Sequence, residues 1–392
     1  MSIKHSTDRI SSDIVVVGAG GAGLAAAVSA AEAGVKNMIV LEKAPRPGGN
    51  SASTGCVFAV NSPLQKRLGI EVSADKVFEE KMAHCNWTVN ARLVRNVINM
   101  SGDMMQWLEE KGVVFTHIML MIRHAGNAPR VTHDITTPGH PGVTGRTIIN
   151  TLHNECAKHG IRVICNARAN NILTDTDRKV NGVTATTPEK ELLLTTKSVI
   201  LTTGGLGGSK EMLNKYFPRH GDLFSNSQPT TTGDGILMAE QVVAIVDDQM
   251  SMLRGPAPLS PKLGILFGRD EVLVVNKEGE RFFDEALSLK YNPDDGSNII
   301  DRQRDKMCYA VLDDKIKQNI MQNKEGLSEM EKAGGGTNTL DEDIKKAVAE
   351  GKAMQSDSLI DIANFIGTNP EVLKNTVEIY NAFCDNHYDG IF

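Results

Sequence analysis

Four apolar residues, Ile14 to Val17, are followed at once by a glycine-rich turn, and this junction limits the possible folds most strongly. An apolar run without alternation is typical of a parallel strand that is buried on both faces. The glycines that follow, Gly18, Gly20 and Gly23, have the Gly-x-Gly-x-x-Gly spacing. In that pattern the first glycine allows a tight turn, the second lets the backbone approach a pyrophosphate, and the third lets a helix pack on the sheet. The stretch therefore predicts a strand, a phosphate-binding turn and a helix.

A second apolar strand is predicted at Met38 to Leu41, and it ends in an acid, Glu42. A carboxylate at this point can accept both hydroxyls of an adenosine ribose, and it disfavours a 2′-phosphate. Gly21 and Ala22 add backbone amides at the positive end of the predicted helix, where a phosphate binds. The glycine pattern alone occurs by chance, but the strand, helix and acid around it favour a dinucleotide site.

A second glycine-rich stretch, from Lys43 to Gly55, is interpreted as a loop because it is too short and polar for a regular element. Here the chain resembles the flavoprotein family of soluble fumarate reductases, succinate dehydrogenase flavoprotein subunits and 3-ketosteroid dehydrogenases. In that family a Lys follows the ribose acid, and a Gly-Gly-Asn-Ser segment then leads into small residues along the flavin. The matching residues here are Lys43, Gly48, Gly49, Asn50, Ser51 and Ala52, whereas Cys56 stands where the family more often has Gly.

The resemblance implies that FAD is the cofactor and that it is bound non-covalently. Quinone-linked relatives attach the flavin through a His just after the Gly-Gly segment, where this chain has Asn50 and Ser51. Later motifs match the family in the same order, and Thr203-Gly204-Gly205 corresponds to its return to the central sheet beside the adenine–ribose half of FAD. Asp234, in a Thr-Gly-Asp-Gly segment, is predicted either to contact the cofactor or only to cap the following helix. Ala167, just after a strand predicted at Ile161 to Cys165, completes the expected FAD contacts.

The predicted fold class is α/β, with two domains. Residues 1–247 are expected to form a Rossmann-like FAD-binding domain with a parallel sheet and a small antiparallel sheet. Residues 248–392 are expected to form an α+β cap domain, because prolines break the chain after residue 248 and the Val275 to Phe282 segment resembles that of the family's mobile cap. A chain of 392 residues with 41% hydrophobic residues can bury the cores of two domains.

Capping signals predict three helix starts. Asn90 is expected to cap a helix over Ala91 to Lys111 whose methionines fill the core. Thr339 to Glu342 has the pattern of a capping box, and Asn369-Pro370 that of a cap with proline in the first turn.

Reduction of a C=C bond needs a hydride from flavin N5 and a proton from the opposite face. In the dicarboxylate reductases of the family, an Arg shortly after the Arg-Phe-x-Asn-Glu segment donates that proton. Here Leu289 occupies the donor's expected place and Lys290 follows. The catalytic candidates are therefore Lys290, Arg269 and Arg281. For Lys290 itself an exposed surface lysine is the favoured interpretation, and a proton donor is the alternative if burial lowers its pKa. Fumarate is therefore not a secure choice of substrate.

The stretch from Arg123 to Arg146 lacks a clear period and is expected to be a long loop that is either functional or mobile. Within it Arg130, His133 and the Thr144-Gly145-Arg146 turn are the residues of interest, since the family's corresponding segment passes close to the flavin. His124, His133 and His140 lack metal-ligand spacing, so a solvated or structural role is favoured and no metal site is predicted.

Composition argues against several function classes. A net charge of −6 argues against nucleic acid as a main partner, and the absence of a long apolar stretch or signal peptide argues against a membrane and for the cytoplasm. The six cysteines are dispersed, without a Cys-x-x-Cys pair, so disulfides, zinc, an iron–sulfur cluster and attached haem are unsupported. Electrons must then come from an external donor or another redox protein.

The sequence thus predicts an FAD-dependent oxidoreductase that transfers hydride between flavin N5 and an activated C–C bond of a small organic substrate. In the resembled family the peptide returns to the flavin domain beyond the point that corresponds to Phe392, with a Gly-Leu-Tyr-Ala-Ala-Gly-like segment that has no match here. The alternative is a non-catalytic FAD-binding fragment, or a subunit whose site a partner chain completes.

Overall fold

The computed structural model of the chain describes residues 6–85, 87–119, 130–135, 144–218, 225, 227–246, 263, 266–267, 269, 271–285, 299–322 and 339–392. It contains two compact units. The first comprises Met1–Phe78, Asn90–Ile118 and Val131–Met250, and the second Glu79–Val89, Met119–Arg130 and Ser251–Phe392. The domain boundary predicted between residues 247 and 248 stays a prediction. Among the residues that the structure describes, none of the helices is long and apolar enough to span a bilayer.

Strands and helices alternate along much of the chain, as the α/β prediction requires. The strands are β1 Ser6–Ser11, β2 Ile14–Val17, β3 Met38–Leu41, β4 Val57–Phe58, β5 His117–Met119, β6 Thr132–Asp134, β7 Arg162–Ile164, β8 Arg168–Thr174, β9 Val180–Thr186, β10 Lys190–Thr195, β11 Ser198–Leu201, β12 Leu273–Val275 and β13 Tyr309–Val311. The helices are α1 Gly21–Glu32, α2 Pro63–Arg67, α3 Ala74–His84, α4 Ala91–Glu110, α5 Thr144–Lys158, α6 Lys210–Tyr216, α7 Asp234–Gln241, α8 Asp314–Gln322, α9 Leu340–Ala349, α10 Leu359–Ile366 and α11 Pro370–Asn386.

The first unit is built on a parallel sheet with the strand order β11-β2-β3-β7. Its central strand β2 is buried on both faces, which explains four apolar residues in a row. Val16 lies in one core with Leu24 of α1, whereas Val15 and Val17 lie in a second core with Leu194 of β10. The predicted parallel strands and the following helix are therefore confirmed.

A second sheet with the order β1-β10-β9-β8 covers the other face, and β10, β9 and β8 pair antiparallel as predicted. Strand β1 was not predicted, because Ile10 is the only apolar residue in Ser6–Ser11. Strand β1 pairs parallel with β10 along its whole length. Pairing with β10, and not a hydrophobic pattern in its own sequence, therefore determines that β1 is a strand. A further prediction was wrong in the second glycine-rich stretch, where Gly49–Ser53 forms a 3-10 helix.

Helix α4 begins as predicted, with the Asn90 side chain accepting a hydrogen bond from the backbone N–H of Leu93. Its methionines were expected in the core, and this is correct only for Met105, which is 1% exposed. Met100 and Met104 are 67% and 38% exposed. The prediction that all the methionines are buried failed because α4 is apolar on two adjacent faces. Only the face that carries Met105 packs against the protein interior.

The second unit pairs β12 antiparallel with β13, and helices pack around this short sheet. The Asn369 cap with Pro370 in the first turn is confirmed. The capping box predicted at Thr339 does not form, because its hydroxyl donates instead to the side chain of Asp343, at 2.8 Å.

We predict that Met105→Ala lowers the free energy of unfolding by about 3 kcal/mol, since it leaves a cavity in a close-packed core. Met100→Ala on the exposed face of the same helix is the matched control and changes it by less than about 0.5 kcal/mol. Urea unfolding followed by circular dichroism measures both values. Equal losses in the two variants would mean that the exposed face of α4 is covered in solution.

Candidate functional site

In the first glycine turn, the backbone of Gly18 lies closer to the backbone of Thr202 than a side chain at Gly18 would permit. Gly18 has φ +105°, and a Cβ there would lie 2.5 Å from the carbonyl oxygen of Thr202. Its N–H donates to the carbonyl of Leu41 at 2.7 Å, which joins the turn to the ends of both neighbouring strands. Glycine is therefore required at this position by conformation as well as by space.

Gly23 sets the contact between the turn and α1. A Cβ on Gly23 would lie 1.9 Å from the carbonyl oxygen of Gly18, so the helix can begin here only without a side chain. Gly20 is the N-cap of α1 and no side chain caps it by hydrogen bonding. In the described part of the chain, no side chain caps the first amides of the helix, which lie at the positive end of the helix dipole, and this fits a pyrophosphate.

The second glycine loop lies directly against the first. The N–H of Gly48 donates to the carbonyl of Ala19 at 2.9 Å, and Gly20 and Gly48 form a parallel β-bridge. A Cβ on Gly21 would lie 2.9 Å from the hydroxyl of Ser51. The two stretches that the sequence assigns to one cofactor are therefore adjacent in space.

The first turn of helix α5 packs directly against the second loop. Its Gly145 approaches the loop so closely that a Cβ would lie 2.0 Å from the carbonyl oxygen of Ser51, and its N–H donates to Thr54 at 2.9 Å. The guanidinium of Arg146 donates to the carbonyl of Pro47 at 3.1 Å. The predicted Thr144-Gly145-Arg146 turn is thus the first turn of a helix.

Glu42 points into the first turn, as a ribose-binding acid must. It is buried, and its two carboxylate oxygens accept hydrogen bonds from the backbone N–H groups of Ala19 and Ala44, both at 2.8 Å. Ala167, which is also buried, donates its N–H to the Glu42 carbonyl at 2.8 Å. The arrangement fits the adenosine end of a dinucleotide, while the contact with the ribose itself stays a prediction.

Asp234 does not cap its helix as the sequence allowed. Gly233, in the left-handed conformation, is the N-cap of α7, and the Asp234 carboxylate instead accepts hydrogen bonds from Lys43 at 3.0 Å and from two nitrogens of Arg168 at 3.1 Å. Burial acts to raise the pKa of Asp234, but the hydrogen bonds from Arg168 and Lys43 outweigh it and leave that pKa lowered. Arg168 was missed by sequence reasoning, although a basic residue directly after Ala167 was a visible signal.

The remaining predicted cofactor residues lie around these loops. Thr203 follows β11, and a Cβ on Gly235 would lie 2.1 Å from its hydroxyl oxygen. Gly204 has φ +73°, and Gly205 has open space where a Cβ would stand. The side-chain oxygen of Asn50 accepts a hydrogen bond from the backbone N–H of Gln228 at 2.7 Å. The FAD contacts of these residues stay predictions.

The three catalytic candidates differ in what the structure describes. Lys290 lies outside the described residues. Arg269 is buried and donates to Glu271 at 2.8 Å. Arg281 donates to Glu285, with the shortest contact at 2.6 Å, and to Asp389 at 2.5 Å. Burial acts to lower the pKa of Arg281, but the hydrogen bonds that its guanidinium donates to both carboxylates outweigh burial and leave that pKa raised. The catalytic roles of all three stay predictions.

His133 is buried and hydrogen-bonded, which fits the structural one of the two roles, solvated or structural, that the sequence favoured. It is fully buried, its Nε2 lies 2.6 Å from the hydroxyl of Ser62, and its ring meets Phe115 edge-on. Burial lowers its pKa, so the neutral imidazole is favoured. His124 and His140 lie outside the described residues.

The chain belongs to the FAD binding domain family, whose profile matches residues 13–391. This confirms FAD as the cofactor. The vinyl phenol reductase of Lactiplantibacillus plantarum is 30% identical over 401 residues, which cover 97% of this chain and 78% of that protein. A fumarate reductase (cytochrome) of Shewanella frigidimarina is 28% identical over 97% of this chain and 62% of its own length.

A solved structure gives the same result for the fold. The open conformation of a flavocytochrome c3 fumarate reductase superposes with a TM-score of 0.68 at 26% identity, covering 98% of this chain and 63% of that one. This chain therefore spans about three fifths of the length of these fumarate reductases. The predicted α/β fold and the resemblance to the fumarate reductase flavoproteins are confirmed.

We predict that Gly23→Ala weakens FAD binding at least ten-fold, because the new methyl group forces the start of α1 away from Gly18. Quenching of flavin fluorescence during titration with FAD measures the effect. Gly390→Ala is the control, since a Cβ there meets only ordinary contacts, at 3.6 Å and beyond. Unchanged affinity in Gly23→Ala would contradict the placement of the pyrophosphate.

We predict that Arg281→Met lowers the free energy of unfolding by about 3 to 5 kcal/mol, because it removes one partner of the buried ion pair between Arg281 and Glu285. Arg304→Met is the control. Its pair with Glu278 is exposed and 3.8 Å long, so its loss changes stability by less than about 1 kcal/mol. Chemical denaturation distinguishes the two variants, and equal stability would mean that Arg281 is free for another role.

Proposed function

We propose that this chain is an FAD-dependent oxidoreductase that transfers hydride between flavin N5 and an activated C–C bond of a small organic substrate of the enoate or enone class. The observation that carries the proposal is the pair of adjoining glycine loops with Glu42 beside the first of them. The relatives that align with nearly the whole chain support it, since they are named as a vinyl phenol reductase and a fumarate reductase.

The chain's own residues would hold the cofactor at three points. The first amides of α1 would bind the pyrophosphate, because they lie at the positive end of the helix and glycine keeps them accessible. Glu42 would accept the ribose hydroxyls. The Gly48 to Ala52 segment would lie along the flavin, which supplies the hydride chemistry when it is bound.

For the proton we propose Lys290. Arg281 is a weaker choice, because its guanidinium is held by two carboxylates that raise its pKa. Arg269 likewise already binds Glu271. A lysine can act as a general acid when its surroundings lower its pKa toward neutrality. This assignment would also explain a substrate other than fumarate, because Leu289 occupies the place of the arginine donor.

We further propose an external electron donor, either diffusible or another redox protein. The sequence has no Cys-x-x-Cys-His motif for attached haem, so electrons are expected to reach the flavin from outside the chain. The cytoplasmic location that the sequence favours stays a prediction.

The test is reduction of an unsaturated substrate by the FAD-loaded chain. Under anaerobic conditions, addition of 4-vinylphenol, a monocarboxylic enoate or fumarate to the protein and reduced methyl viologen should cause oxidation of the viologen with at least one substrate. A chain that takes up no FAD, or one that binds FAD and turns over none of the three, would overturn the proposal.

Lys290→Met is the informative variant in the same assay. It should retain FAD at the unmodified affinity and lose at least a hundred-fold in turnover, which is the size of a general-acid contribution. Lys277→Met is the matched control, since Lys277 pairs with Asp305 on the surface. Full turnover by Lys290→Met would reject the donor assignment and leave the reductase proposal in place.

A further inference from the structure

Arg146 lies in the first turn of α5, between the helix and the second glycine loop. Its Nη1 donates to the carbonyl of Pro47 at 3.1 Å. Both terminal nitrogens also face Gly48, since a Cβ built there would lie 3.3 and 3.4 Å from them. The guanidinium therefore contacts the loop at Pro47 and occupies the space beside Gly48 that a side chain there would need.

Those two residues lead directly into the contact between the loops. Gly48 donates to Ala19 and bridges to Gly20, which is the N-cap of α1. Gly48 itself has φ +152°, and Gly49 has φ +54°. Both residues are glycine, so the bend has little intrinsic stiffness and contacts from outside the loop must hold it.

The helix that carries Arg146 is itself fixed against the same loop. Gly145 packs on Ser51 so tightly that no side chain fits, and its N–H donates to Thr54 at 2.9 Å. Buried Ile149 and Leu152 anchor α5 in the core that also contains Leu24 of α1. Arg146 thus extends from a helix that is anchored in the core to a bend that contains two glycines with positive φ.

We propose that Arg146 is a positioning residue that holds the Pro47 to Gly49 bend against the first glycine turn and so preforms the FAD site. In the part of the chain that the structure describes, no carboxylate forms an ion pair with Arg146. Among those residues its charge is therefore not paired with a carboxylate, and its Nη1 donates to the loop. The proposal rests on the FAD binding that the proposed function requires, and not on the reaction.

A positioning role acts before the cofactor binds. A loop that is already in its bound conformation costs less ordering entropy on binding than one that must be fixed by the ligand. Loss of the Arg146 brace should therefore weaken FAD binding and loosen the loop in the free protein, without unfolding the unit. Weaker FAD binding and a looser loop without unfolding would distinguish a positioning residue from a residue that only stabilises the core.

The experiment compares Arg146→Met, Arg146→Gln and Arg146→Lys, each purified as the whole 392-residue chain. Arg146→Met should raise the dissociation constant for FAD about ten-fold, which is the size expected for the loss of one charge-assisted hydrogen bond. In the FAD-free protein, backbone amides of Gly48 to Ser53 should exchange hydrogen faster by a similar factor, with the thermal midpoint unchanged. Arg146→Lys keeps a charged donor and should restore most of the affinity.

Arg146→Gln keeps a donor without the charge, so recovery there as well would show that the hydrogen bond matters more than the charge. Arg162→Met, an exposed arginine on β7, is the matched control and should leave both measurements unchanged. Unmodified protein that binds no FAD would defeat the proposed function. Unmodified protein that binds FAD, with Arg146→Met equal to it in affinity and exchange, would defeat only the role of Arg146.

Discussion

The two glycine loops depend on three places where backbone approaches backbone too closely for a side chain to fit. Gly18 meets the chain leaving β11, Gly23 meets Gly18, and Gly145 meets Ser51. Each approach joins a helix or strand to one of the two glycine loops, so together they fix the loops relative to the parallel sheet. Since the loops also contact one another through Gly20 and Gly48, the site is assembled by packing of the main chain before any side chain contributes a specific contact.

The sequence was sufficient for the parts of the molecule that are dictated by local pattern. The apolar run at Ile14 to Val17, the glycine spacing and Glu42 were enough to place two strands, a helix and an acid in the arrangement that the structure has. These features can be predicted from the sequence because all the residues that define them lie within about thirty residues of chain, in the order that a single βαβ unit imposes.

Features that depend on residues far away in the sequence could not be predicted from the local sequence pattern. Strand β1 has almost no apolar pattern and is ordered by β10, far along the chain. The side chain of Asp234 could have capped its own helix, but two cations from other segments compete more strongly for the carboxylate. Helix α4 has more apolar surface than the core accepts, so periodicity alone could not show which methionine is buried. In all three cases tertiary contacts outweigh a local preference.

The hydrogen bonds of Glu42 have a stoichiometric consequence. An ionised carboxylate offers about four lone-pair positions, and in this chain the amides of Ala19 and Ala44 occupy one on each oxygen. Two acceptor positions remain, one per oxygen, which equals the number of hydroxyls on an adenosine ribose. A glutamine at this position would replace one acceptor oxygen by a donor and would set an N–H against a backbone N–H. The amides of Ala19 and Ala44 therefore favour an acid over an amide side chain at this position, and they orient the remaining lone pairs of its oxygens at the same time.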